Sequence, residues 1–158
     1  MALADTPFAA LTVIAAPAIL TNASSVLALG TGNRIARVVD RTRFLTRELS
    51  DPLDDLRREV YWNQLEVLQV RAQLLLRALR WFYTSLGAFA ASALIAVIGS
   101  VVAAYQGVHI AEVFAISGLL VGTLGVTGLV TGCTLMIHET RLAVRHLTEE
   151  ARLFNKRP

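Results

Sequence analysis

The chain has 158 residues, 54% of them hydrophobic, which predicts one domain whose largest apolar surfaces face lipid or other spans rather than a globular core. No separate soluble catalytic domain fits within this length. The formal net charge of +3 does not indicate nucleic-acid binding, because the basic residues stand beside apolar runs, where membrane orientation and anionic headgroups account for them.

Three long apolar runs follow one another at about residues 8–33, 82–105 and 113–138. Each is free of Lys and Arg and is close to the ~20 residues that cross ~30 Å of hydrocarbon. We therefore predict an all-α, polytopic membrane protein with three transmembrane helices. The 14 Arg against one Lys are typical of a GC-rich bacterial genome, so the expected location is the bacterial inner membrane.

The positive charges indicate the orientation of the spans. All 15 Lys and Arg residues lie between Arg34 and Arg80 or between Arg141 and Arg157, and none lies in the loop at 106–112. The positive-inside rule then predicts an N-terminus outside and a C-terminus inside. Residues 34–81 become a cytoplasmic helical region, and residues 139–158 become a cytoplasmic helical tail.

Polar residues mark one face of the first run. They are Asn22, Ser25 and Asn33, with Thr21 and Ser24 beside them. Asn is costly in hydrocarbon, so we expect these side chains to face other helices or water. Two roles remain open: interhelical hydrogen bonds within a bundle, or a hydrated path if the face repeats around a symmetric oligomer. Asn22, Ser25 and Asn33 are thus candidate pore-lining residues.

The first helix is predicted to end at residues 50–52, where a second helix begins with Pro52 in its first turn. Two apolar stripes on that second helix indicate more than one packing partner. One stripe is Leu53, Leu56, Val60, Val67, Val70 and Leu74, and the other is Leu65, Leu68, Leu75 and Leu79. The helix is expected to run directly into the second span, past an interfacial aromatic belt at residues 81–83.

Glycines spaced for close helix packing mark the third run. They are Gly118, Gly122, Gly125, Gly128 and Gly132. Small residues at such spacing let helix backbones approach each other in a membrane. A neighbouring threonine stripe either bonds back to carbonyls of its own helix or contacts permeating ions. Its members are Thr123, Thr127, Thr131 and Thr134.

Glu139 lies between two histidines that are eight positions apart, which is not the i, i+4 spacing of a helical metal site. We therefore predict no metal and expect Glu139 to pair with Arg34, Arg37 or Arg141. The sequence contains no Ser-His-Asp order, phosphate-binding glycine loop or HExxH motif, so neither an enzyme nor a cofactor is predicted. The single Cys133 cannot form an internal disulfide.

The chain also resembles a known family. The segments PAIL, TNASS and GTGNRIARVVDRTRFL occur between Pro17 and Leu45. They are similar to the start of an uncharacterised bacterial membrane family, domain of unknown function 2721. The resemblance implies three spans and an arginine-rich cytoplasmic helix, with no assigned reaction. The resemblance rests on Asn33, Arg34, Arg37, Asp40, Arg41 and Arg43, and a carboxylate at the inner end of the last span, here Glu139, extends it over most of the chain. The predicted cytoplasmic charged cluster comprises Arg34, Arg37, Asp40, Arg41, Arg43 and Glu139.

Together these features predict a non-enzymatic membrane protein that assembles with copies of itself. Three spans are too few to enclose a path, and the glycine face of the third run and the two apolar stripes of the second helix offer surfaces for other copies. The leading hypothesis is an ion or small-solute channel lined by the first span. The alternative is a non-conducting scaffold or regulatory adaptor whose cytoplasmic helices dock a partner protein. The expected partners are therefore membrane lipids, further copies of the chain and, in the alternative, a cytoplasmic protein.

Overall fold

The computed structural model describes residues 9–154 except 51, 53 and 107, and it describes side chains from residue 15 except at 56, 103–109, 111 and 146–154. Three helices make up this part of the chain: α1 (Ala9–Glu48), α2 (Asp55–Gln106) and α3 (Val108–Phe154). The described residues contain no strand, so the all-α prediction is confirmed. Each helix continues an apolar run into a charged segment without a break, as the periodicity predicts.

The junction between α1 and α2 lies at the predicted break. α1 ends with a tight turn in which the Ser50 N–H donates to the Arg47 carbonyl at 3.0 Å. α2 begins three residues after Pro52, and the Arg58 N–H donates to the Asp54 carbonyl at 3.0 Å. The expectation that Pro52 belongs to the first turn is therefore wrong. Asp54 is the residue whose carbonyl accepts the first helical hydrogen bond.

Two helical segments are long and apolar enough to cross a membrane. They are Arg57–Val102 and Glu112–Arg145, each with a mean hydropathy of 2.1 over its most apolar window. They overlap the second and third predicted runs. The first run, at 8–33, begins outside the described residues and is not among the candidate spans found within them.

The chain divides into two compact units, of which the first comprises residues 1–28 and 80–131. In this unit α2 and α3 pack through small and hydroxyl-bearing residues, and the Ser92 hydroxyl donates to the Gly118 carbonyl at 2.8 Å. The buried residues on α2 recur at spacings of three and four, as a helix face requires. They are Phe82, Ser85, Phe89 and Ser92, and the buried Gly99 follows seven residues later.

The aromatic cluster at the start of this unit is split between two faces. Trp81 and Tyr83 are exposed, whereas the Phe82 side chain is fully buried. Consecutive helical residues point about 100° apart, so three in a row cannot share one face. Phe82 is a core residue, and the interfacial belt predicted for residues 81–83 reduces to Trp81 and Tyr83.

The second unit comprises residues 29–79 and 132–158 and has an apolar core of its own. The buried members of this core are Val38, Leu45, Leu65, Leu68 and Leu75. The second predicted stripe of α2 thus packs inward, while Val60 and Val70 of the first stripe are exposed. Val38 and Leu68 of this core lie beside Arg71 and Glu139.

Candidate functional site

Glu139 is the centre of a buried ion-pair network in the second unit. Its side chain is only 1% exposed, and both of its carboxylate oxygens accept hydrogen bonds. Arg34 Nη1 donates to Oε2 at 3.1 Å, while Arg71 Nε donates to Oε1 at 2.9 Å and Arg71 Nη2 lies 2.8 Å from the same oxygen. Arg34 Nη1 also lies within hydrogen-bond distance of Thr140 Oγ1, at 3.0 Å. One carboxylate therefore joins residues of all three helices.

The Arg34–Glu139 pair was expected from the sequence, whereas Arg71 was not. A signal for Arg71 is nevertheless present, because it stands three residues after Leu68 and four before Leu75, on the stripe that packs inward. A cation on an apolar helix face needs a buried partner of opposite charge. Glu139 stands seven residues after the buried Gly132, which is about two helical turns. It therefore lies on the same inward-facing side of α3 as Gly132.

A cavity of about 330 Å³ opens beside this network. Val38 and Leu68 form its apolar part, and its charged lining is Arg34, Arg37, Arg41, Arg71 and Glu139. We call this cavity the arginine cleft. Arg41 has local contacts of its own: its guanidinium lies 5.2 Å from the centre of the Phe44 ring, and Nη2 is 3.5 Å from Gln64 Oε1.

The structure divides the predicted charged cluster into two groups. Arg34, Arg37, Arg41 and Glu139 all line the arginine cleft, whereas Asp40 and Arg43 are exposed and do not line it. The helical period explains the division, since Arg34, Arg37 and Arg41 recur at spacings of three and four. Asp40 and Arg43 fall between these positions.

The predicted pore-lining residues point away from the packed side of α1. Asn22, Ser25 and Asn33 are all exposed, and the Ser25 hydroxyl donates to the Thr21 carbonyl of its own helix at 3.0 Å. Within the described part of the chain neither Asn side chain makes a hydrogen bond. The opposite face of α1 holds the fully buried Ser24, whose hydroxyl has no partner among the described residues.

Four of the five predicted packing glycines meet residues of α2 within the first unit. A Cβ atom added at Gly125 would lie 2.7 Å from Cε1 of Phe89, and one at Gly128 would lie 2.6 Å from Oγ of Ser85. Gly118 and Gly122 would meet their neighbours at 3.4 Å and 3.3 Å, and Gly132, in the second unit, is buried. This face is used within one chain, so it lends no support to assembly between chains.

Hydroxyl groups of the threonine stripe on α3 form hydrogen bonds within their own helix. Thr123 donates to the Leu119 carbonyl at 2.8 Å, Thr127 to the Thr123 carbonyl at 2.9 Å, and Thr131 to the Thr127 carbonyl at 2.8 Å. These three hydroxyls therefore bond back to helix carbonyls, which is the first of the two roles expected for them.

Comparison with protein-family models gives a match that covers most of the chain. A family model described as "Protein of unknown function (DUF2721)" matches residues 14–149. The matched range contains Asn33 and the charged cluster from Arg34 to Glu139. The comparisons with curated proteins and with solved structures found no match.

Proposed function

Because the chain belongs to the DUF2721 family of unknown function, we propose from its own surfaces that it is a non-enzymatic, three-span protein of the bacterial inner membrane. In this proposal the N-terminus lies outside and the C-terminus inside. Copies of the chain assemble around a path for ions or small solutes, and the first span lines that path with Asn22, Ser25 and Asn33.

The surface of the first unit supports a membrane location. Its interior holds the Phe82 and Phe89 rings together with small and hydroxyl-bearing residues, while many other large apolar side chains are exposed, including Leu94, Leu119 and Leu124. Leu119, for example, is 71% exposed. So many exposed large apolar side chains are unusual on a soluble monomer but suit lipid contact, as do small residues at the helix interface. The apolar composition of the two candidate spans also supports a membrane location.

Thiol labelling tests the orientation. The variants are made in a Cys133→Ser background. A Cys introduced at Glu112 is expected to react with an impermeant maleimide on spheroplasts, whereas a Cys at Asp54 is not expected to react. The reason is that the positive-inside rule places residues 34–81 on the cytoplasmic side. Both positions are exposed in the structure. Permeabilised cells are the control, in which both must react. Labelling of Asp54→Cys but not Glu112→Cys on spheroplasts would reverse the proposed orientation.

The outward polar face of α1 carries the channel proposal. Asn22 and Asn33 are exposed in the single chain, and a Cβ added at Gly30 or Gly32 would meet no described atom within 4 Å. An exposed Asn in hydrocarbon is unfavourable, so this face needs either water or another copy of the chain against it. A ring of copies with α1 innermost supplies both.

Replacement of Asn22 by Leu is expected to reduce flux while leaving the oligomer intact, because an apolar side chain narrows or dewets a hydrated constriction. Flux is measured in liposomes across several ions and voltages, and the mass of the detergent-solubilised complex is measured in parallel. Ala23→Leu is the matched control, since Ala23 is exposed but lies about 100° around the helix from Asn22. Its flux should stay near that of the wild type.

A second candidate function is favoured by exposed apolar residues in the second unit. Val60, Trp62 and Val70 of α2 are all exposed, although two of them belong to a predicted apolar stripe. These side chains suit a non-conducting scaffold or regulatory adaptor that docks a cytoplasmic protein. An oligomer without flux for any ion tested, together with wild-type assembly of Asn22→Leu, would exclude the channel and leave this second function.

A further inference from the structure

The arginine cleft carries more positive charge than its own carboxylate neutralises. Four guanidinium groups line it, from Arg34, Arg37, Arg41 and Arg71, against the single carboxylate of Glu139. Four positive charges less one negative charge leave a formal charge of +3 around a cavity of about 330 Å³. A cavity of this size has room for several water molecules or for one small anion.

Glu139 holds two of these guanidinium groups in place. Both of its oxygens are occupied, Oε1 by Arg71 and Oε2 by Arg34, and the side chain is buried. A guanidinium has five N–H donors in a planar fork, so neither arginine is saturated by the contacts to this carboxylate. Glu139 is thus a positioning residue, which orients donors toward the cavity without occupying it.

We propose that the arginine cleft binds a phosphate-bearing anion. Arginine forks match the oxygens of phosphate, and a phosphate can accept from several guanidinium groups at once, whereas a carboxylate has two oxygens. Arg37 and Arg41 make no ion pair with Glu139, and both are exposed enough to close on a ligand. The apolar lining from Val38 and Leu68 suits the substituent of a phosphate ester.

Two kinds of molecule can supply the phosphate group. Arg34 directly follows the first apolar run and Glu139 directly follows the third, so a lipid headgroup phosphate is one source. A free phosphate or a soluble phosphate ester is the other. The binding residues are the same in both cases, and the proposal is independent of whether α1 lines a channel.

The test uses the full chain in detergent, with the double variant Arg37→Gln and Arg41→Gln. Neither residue pairs with Glu139, so these changes leave the buried ion-pair network in place. Arg43→Gln with Arg47→Gln is the matched control, because it removes two exposed charges from the same helix outside the cleft. Inorganic phosphate is titrated by calorimetry at constant ionic strength, and native mass spectrometry compares phosphatidylglycerol with diacylglycerol, which lacks phosphate.

Saturable binding of either probe is expected, weakened by about tenfold or more in the cleft variant and by less than about threefold in the control. Binding of inorganic phosphate identifies a free phosphate or soluble ester as the source. Binding of phosphatidylglycerol alone identifies a lipid headgroup. The proposal is overturned if neither probe binds, if the cleft variant binds like the wild type, or if both double variants weaken binding equally.

Discussion

Replacement of Arg71 by Met is expected to lower the free energy of unfolding by about 3 kcal/mol, because it leaves the buried Glu139 carboxylate with one cation in place of two. This value is at the lower end of the stability loss that follows when one partner of a buried ion pair is removed. Arg34 still contacts Oε2, and the Arg71 and Arg34 side chains are themselves 28% and 41% exposed. Unfolding of the detergent-solubilised chain in dodecyl sulfate, followed by tryptophan fluorescence, measures the change.

A matched control and a compensating change sharpen this test. Arg77→Met removes an exposed cation from the same helix and should change stability by no more than about 0.5 kcal/mol. Adding Glu139→Met to Arg71→Met should restore most of the loss, because the buried charge disappears with its partner. If the double variant is no more stable than Arg71→Met, then the loss comes from packing and the network contributes little through charge.

Gly125→Leu is expected to break the packing of α2 against α3 in the first unit, at a cost of at least about 3 kcal/mol. A Cβ alone would lie 2.7 and 2.8 Å from two ring carbons of Phe89, and that ring is buried. Overpacking a close interface costs about 1 to 3 kcal/mol for a few added methylenes, and leucine adds a whole side chain. The same unfolding measurement in detergent applies.

Other glycines supply the controls for this change. Gly87→Leu places the same side chain on α2 where an added Cβ meets no described atom within 4 Å, so it should fold with wild-type stability. Gly118→Ala meets Ile95 at 3.4 Å, an ordinary contact, and should be neutral or gain up to ~1 kcal/mol from helix propensity. Equal stability of Gly125→Leu and Gly87→Leu would contradict close packing of Gly125 against Phe89.

The two units hold their helices together in different ways. In the first unit the glycines let the Phe89 ring approach the backbone of α3, and no charge is involved. In the second unit a buried carboxylate ties together residues of all three helices beside an apolar core. A buried ion pair adds little net stability compared with apolar packing, so its retention here is consistent with the binding role proposed for the arginine cleft.

Much of the architecture follows from local features of the sequence. Apolar runs and helical periodicity predicted the three long helices and the break at residues 50–52, because helix hydrogen bonds and propensities act over about four residues. The spacing of Gly118, Gly122, Gly125 and Gly128 identified the face of α3 that meets α2. The pairing of Arg34 with Glu139 was also expected, although Arg37 and Arg141 were equally good partners on sequence alone.

Only the tertiary structure decided how each helix is rotated against its neighbours. Periodicity places residues on a face, but it does not say which of two apolar faces is buried, and α2 has two. That rotation buries Phe82 rather than Trp81 and turns Asn22 outward. It also brings Arg71 to Glu139, which is 68 residues away in the chain. Such a contact depends on the simultaneous packing of three helices, so no local pattern can specify it.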